Sequence, residues 1–156
     1  MELKEAVRRI NHCISNLYSY DQDLFERNNY EVTISTKLAQ YLFVEFREYD
    51  VDCEYDKHKN KPKRLLDLDR NIRPDIIIHK RGKDDNNLIC IELKKSNLNK
   101  KEDTKKLKAL TKVSGDYKYK LGILIIISKN KDEQKIEYYE NGKESFKFSI
   151  SGVLDE

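Results

Sequence analysis

Two runs decide the fold: Pro74-Asp75-Ile76-Ile77-Ile78-His79 and Leu88-Ile89-Cys90-Ile91-Glu92-Leu93-Lys94. Each is short, apolar and rich in isoleucine, the composition of a buried strand. Residues 80–87, with Gly82, read as the turn between them, so the pair predicts an antiparallel hairpin. Side chains alternate between the faces of a strand, so Glu92 and Lys94 point one way and Leu93 the other. The hairpin therefore brings two carboxylates and an ammonium to neighbouring strand ends. An acidic pair beside a lysine can hold a hard divalent cation with a water next to it, the minimum equipment for hydrolysing a phosphodiester. The alternative is a strand that emerges into solvent, with Glu92 and Lys94 as surface charges. The tripeptide alone does not separate the two readings, because acid-x-Lys also occurs at Glu2-Lys4, Asp103-Lys105, Asp116-Lys118 and Glu133-Lys135. Only Glu92-Leu93-Lys94 ends an apolar run that follows a second run headed by an acid. Ending a buried strand this way costs desolvation unless the charges are paired or coordinated.

Outward from this hairpin, the pattern predicts an α/β chain with a central mixed sheet of four or more strands flanked by helices. Val7, Ile10, Ile14 and Leu17 recur at helical spacing. A polar stretch, residues 26–30, precedes a second helix over residues 31–46, with Ile34, Leu38, Tyr41, Leu42 and Phe46 on its buried stripe. Residues 50–55 alternate as a half-buried strand, with Val51, Cys53 and Tyr55 on one face and Asp52 and Glu54 on the other. Residues 57–73 have no period and read as a long basic loop. Residues 101–113 predict a helix with Leu107, Leu110 and Val113 inward and Gly115 at its end. Residues 121–127 are almost continuously apolar, as in a strand covered on both faces. A helix between two strands suits a parallel crossover. The tail predicts a hairpin of residues 135–139 and 145–150, turning at Asn141-Gly142. Length suits a single domain over residues 1–156.

The chain is highly charged, with a formal net charge of only +3, too small to establish a nucleic-acid partner. Its distribution says more. Lys57, Lys59, Lys61, Lys63 and Arg64 form a run without an acid, and a second basic concentration includes Lys95, Lys101, Lys105 and Lys106, diluted by Glu102 and Asp103. Such clusters suit phosphate contacts; the alternative is a solvated loop and a solvated helix face. Cys13, Cys53 and Cys90 are odd in number and widely spaced, which reads as reduced core thiols and not as a zinc site or disulfide framework. No signal peptide or membrane-length apolar run is visible, so the expected location is the cytoplasm.

With acids at these joints, the chain resembles the PD-(D/E)XK nuclease superfamily, the restriction-endonuclease-like fold, in a small stand-alone bacterial or phage form. Pro74-Asp75 matches the first half-motif and Glu92-Leu93-Lys94 the second. The family commonly adds an acid on the helix before the sheet; Glu31 is the best match, with Glu26 the runner-up. Exonuclease-like branches often carry Gln-x-x-x-Tyr on the helix after the lysine. Residues 101–113 contain neither glutamine nor tyrosine, which points away from end-processing. Asp103 and Lys106 stand on that helix instead, as surface residues or substrate contacts.

The resemblance implies an Mg²⁺-dependent nuclease, with Mn²⁺ as substitute, acting as an endonuclease on DNA in preference to RNA. Asp75 and Glu92 would share the ion, with the Leu93 carbonyl as a further ligand and Glu31 reaching it through water or helping to bind a second ion. Lys94 would steady the hydroxide or the phosphorane. Enzymes of this type often work as homodimers, although no dimer seam is visible. The competing function is a non-catalytic nucleic-acid-binding module on the same fold. Around the site, His79 reads as a base or a packed histidine, and Glu54 as an acid facing the site or solvent. Tyr55 and Tyr117 read as packed or base-stacking, and His12 and His58 as surface residues.

Overall fold

The two apolar runs are neighbouring antiparallel strands at the centre of the sheet. The computed structural model describes residues 1–27, 31–55, 57–58, 61–62, 64–65, 70–95 and 99–148. Three helices come first: α1 (Leu3–Tyr20), the short α2 (Asp23–Glu26) and α3 (Glu31–Glu45). Strand β1 (Asp50–Cys53) follows. Next come two small antiparallel ladders, β2 (Lys57–His58) with β3 (Lys61–Pro62) and β4 (Arg64–Leu65) with β5 (Arg70–Asn71). Then β6 (Ile76–His79), β7 (Ile89–Lys94), α4 (Lys101–Thr111), β8 (Leu121–Ile126), β9 (Lys135–Glu140) and β10 (Lys143–Ser145) complete the chain. The main sheet has six strands in the order β1-β6-β7-β8-β9-β10. All neighbours are antiparallel except β7 and β8, which are parallel and joined through α4, as the helix between two apolar strands predicts.

Period-two alternation sorts the sheet residues into two cores. Ile76, Ile78, Ile89, Ile91, Leu93, Leu121, Ile123 and Ile125 pack with α1, α2 and α3. Ile77, Cys90, Leu124 and Ile126 face the other way and pack with Leu107 and Leu110 of α4. Both faces are covered, which explains why β6, β7 and β8 read as unbroken apolar runs. Gly122 lets α4 settle closely on β8: a Cβ there would stand 3.1 Å from the Thr111 methyl and 3.3 Å from Leu107. Thr104 and Lys100 tie the start of α4 to β9, through the Tyr139 hydroxyl at 3.3 Å and the Glu137 carboxylate.

Several expectations need correction. The basic stretch is not one loop, since residues 57–58, 61–62, 64–65 and 70–71 are paired; backbone pairing of lysines and a proline carries no hydrophobic period to read. Residues 23–26, at the edge of the expected polar stretch, form a helical turn that buries Phe25 against Tyr18, the rings stacked at 4.2 Å. Val113 lies beyond the end of α4 and is exposed. Cys53 is exposed because β1 is an edge strand, whereas Cys13 and Cys90 are buried free thiols. The last hairpin turns at Asn141-Gly142, both at positive φ (46° and 76°), the twist a two-residue turn requires. Its second strand is Lys143–Ser145, earlier than expected, and residues 149–150 lie outside the described residues. Among the described residues no helix is long and apolar enough to cross a membrane.

Candidate functional site

Register lines up the acids. The β6–β7 ladder pairs Ile76 with Ile91, so one step further Asp75 comes opposite Glu92. On the other side the Glu54 amide donates to the Asp75 carbonyl at 3.0 Å, extending the β1–β6 ladder by one step. Glu92 is level with Leu124, and Leu124 with Glu137. Residues level with one another across a sheet share a face. A row thus crosses the sheet beneath α4: Asp75, Glu92, Leu124, Glu137, with Glu54 exposed at its edge, where a positive φ (45°) ends β1. Like charges side by side repel, so the row demands cations.

Glu92 is only 2 % exposed, which excludes the reading of a strand that simply emerges into solvent. Burial, together with the Asp75 charge, pushes its carboxyl well above the ordinary range. Asp75 is also raised, chiefly by burial, although its Oδ2 accepts the Leu93 amide at 2.7 Å. The cations come from β7 and α4. Lys106 Nζ lies 2.8 Å from Glu92 Oε1 and 3.6 Å from Asp103 Oδ1; Lys94 Nζ lies 3.1 Å from Asp103 Oδ2. Burial opposes the Lys106 ammonium, but the charges of Glu92, Asp103 and Asp75 outweigh it and hold the proton more tightly. Lys94 is raised first by its bond to Asp103. Asp103 sits in the first turn of α4, where the helix dipole favours an anion.

Two buried oxygens in this network, Glu92 Oε1 and Asp103 Oδ2, have no neutral hydrogen-bond donor among the described contacts and are met by the ammonium groups of Lys106 and Lys94. The backbone adds a third acceptor. A strand residue's N–H and C=O point to the same side, so the Leu93 carbonyl opens toward β6 with its amide. Continued one residue further, the ladder sets Pro74 opposite Leu93, and proline has no N–H to donate. Among the described residues no three histidine, cysteine or acidic side chains gather closely enough to hold a metal. The donor set is therefore sparse: two buried carboxylates and a carbonyl. Mg²⁺ accepts such a set because it keeps several waters. On the donors present, the residues fit such an ion.

Glu31, in the first turn of α3, does not join Asp75 and Glu92 in a three-carboxylate set. Its Oε1 accepts the Lys95 amide at 2.9 Å, which fixes α3 to the end of β7 and leaves the carboxylate a neighbour of Asp75 and Lys94. Lys94, Asp103, Lys106 and Glu54 line an open cleft of about 500 Å³ with Ile72, Arg73, Asn99 and Glu102. Glu54 thus stands at the rim of the cleft and is also exposed to solvent.

The basic candidates divide. Lys106 is no exposed phosphate contact; its side chain is 14 % exposed and engaged by Glu92. Lys95 lines a different cavity, of about 240 Å³, with Leu24, Phe25, Ile34, Ile127, Ser128 and Lys129. It therefore does not share a face with Lys101 and Lys105, which are exposed, Lys105 lying 3.8 Å from Glu102. Lys57, Lys61 and Arg64 lie on the small ladders, while Lys59 and Lys63 fall outside the described residues. His79 is packed, its Nε2 2.8 Å from Asp52 Oδ2, and Arg81 grips the same carboxylate. Tyr117 is buried in the second core and Tyr55 packs against it, edge-on to His79. His12 is exposed near Glu45.

No family model, curated protein or solved structure matches the chain. Function is therefore inferred from the geometry of the site. The residues that sequence reasoning undervalued are Asp103 and Lys106. The signal was present: Asp103, Leu107 and Leu110 recur at helical spacing, so Asp103 shares the inward stripe, and Lys106 is one turn away from it.

Proposed function

We propose that this chain is an Mg²⁺-dependent nuclease of the PD-(D/E)XK type, on a restriction-endonuclease-like fold, that hydrolyses phosphodiester bonds as an endonuclease on DNA. One observation carries the reading. Glu92 is buried opposite Asp75, with its charge disfavoured and a single ammonium, that of Lys106, as the described counter-charge to two acids. A fold retains such a group at a cost of several kcal/mol, roughly, only where something compensates it. Bound there, a divalent ion would supply Lewis acidity and a water acidic enough to act as nucleophile. Asp75 and Glu92 would hold it, with the Leu93 carbonyl completing the protein's share. The Leu93 amide keeps Asp75 oriented. Lys94, partly exposed in the cleft and positioned by Asp103, would meet the scissile phosphate and offset its charge. Glu31 braces the end of β7 and adds negative charge beside Lys94. Exposed Lys101, with the basic ladder strands, would hold the polyanion and make binding fall as salt rises.

The test is nicking of supercoiled plasmid with Mg²⁺, Mn²⁺ or EDTA. Cleavage that needs metal and disappears in Asp75→Asn and Lys94→Met supports the enzyme. A second reading, a nucleic-acid-binding module without catalysis, draws support from the absence of a three-acid set among the described residues. DNA binding with no turnover in either metal would establish it.

A further inference from the structure

We infer that Lys106 is a built-in counter-ion that occupies the cation position of the site and must swing out before a divalent ion can bind. The inference rests on the metal-dependent reading above and concerns how that site is gated. Three observations place the lysine there. Its ammonium makes the 2.8 Å contact to Glu92, a carboxylate with almost no access to water. That same oxygen has no other donor among the described contacts, so the lysine alone stands where a cation would meet it. And Lys106 lines the open cleft, so the side chain has a place to go.

The exit is also marked. Asp103 Oδ1 stands 3.6 Å from the Lys106 ammonium, while Asp103 Oδ2 takes Lys94 at 3.1 Å. A Lys106 that leaves Glu92 can pivot about its own helix toward Asp103. Two ammonium groups then share one carboxylate at the mouth of the cleft, and Glu92 is left to the incoming ion. The packing of acids explains why the lysine is needed: without some cation beneath α4, Asp75, Glu92 and Asp103 repel one another. The geometry assigns this work to Lys106 in the free protein and to the metal in the loaded one, with the released lysine joining Lys94 against the phosphate.

Isothermal titration of Mn²⁺ into wild type and Lys106→Met tests this without any turnover. The variant should bind at least about tenfold more tightly, the factor expected when a competent state populated at about 10 % or less becomes the only state. A second measurement needs no variant. Acetylation of Lys106 in wild type, quantified by peptide mass spectrometry against exposed Lys101, should accelerate when Mg²⁺ saturates the site. Equal or weaker Mn²⁺ binding by the variant, with Lys106 labelling unchanged by metal, overturns the gate and leaves the metal site standing. Absence of Mn²⁺ binding to both proteins overturns the metal reading and the gate with it.

Discussion

Removing the Lys106 ammonium should destabilise the metal-free protein by an amount set by pH. At 2.8 Å from Glu92, an effective dielectric of about 20 gives an attraction of roughly 6 kcal/mol before desolvation of the ammonium is subtracted. Lys106→Met forfeits that attraction and the desolvation cost together. What remains is Glu92 buried among acids. The carboxyl can escape by taking a proton, and this caps the penalty. Each pH unit above its ordinary value of 4.5 costs about 1.4 kcal/mol to protonate, so the ceiling is about 3.4 kcal/mol at about pH 7 and under about 1 kcal/mol at about pH 5. The sign comes from linkage. An acid whose folded pKa is raised weakens the fold as pH climbs above its unfolded value, and the variant raises that pKa further. Because the wild-type carboxyl is itself already raised, wild type bears part of this ceiling too, and urea denaturation in EDTA should show the two proteins nearly alike at about pH 5 and the variant weaker at about pH 7 by well under about 3 kcal/mol. Lys106→Met/Glu92→Gln should close most of the gap. A difference that is flat across this range, or that survives in the double variant, would refute the claim that Glu92 and Lys106 compensate each other.

The same geometry sets three further outcomes. Glu92→Gln should raise stability above about pH 5 in EDTA, since burial disfavours the carboxylate there, while removing any metal-dependent nicking; thermal melts at two pH values check the first part. Gly122→Ala should cost about 1–3 kcal/mol by pressing on Thr111 and Leu107, and a shift in denaturation midpoint reads it. Asp52→Asn should cost about 1.5–3 kcal/mol at neutral pH. Burial works against the Asp52 charge, but Arg81 and His79 outweigh it and hold the pKa below its ordinary 3.8, so the wild-type advantage should shrink as pH falls through the acid range; a pH series of urea curves measures this.

The hairpin, the parallel crossover and the last turn were legible in the sequence because each has a local signature. Isoleucine runs flanked by acids give β6 and β7, a helix between apolar runs gives α4 between β7 and β8, and Asn141-Gly142 gives a turn at positive φ. The site was half legible. Asp75, Glu92 and Lys94 sit at strand ends where alternation fixes their face. Lys106 read as a surface residue or phosphate contact because lysine on a helix is normally solvated, and only the three-dimensional approach of α4, permitted by Gly122, brings it over Glu92. Glu31 read as an acid reaching the ion through water or helping a second one; that its Oε1 also accepts the Lys95 amide is a backbone contact that no side-chain pattern encodes. The edge position of β1, which exposes Cys53, depends on sheet order and has no local trace.

The parallel pairing of β7 and β8 has a kinetic consequence. The two strands cannot meet until the chain between them has doubled back, so α4 closes over the sheet late, after the local hairpins. Until that closure Glu92 remains hydrated, and its charge bears only the repulsion of Asp75 across the hairpin. The lid-like docking of α4 is thus the step at which water is stripped from the acid, and acidity or divalent ions in the buffer should act on the rate of that closure and of its reversal more than on the earlier hairpins.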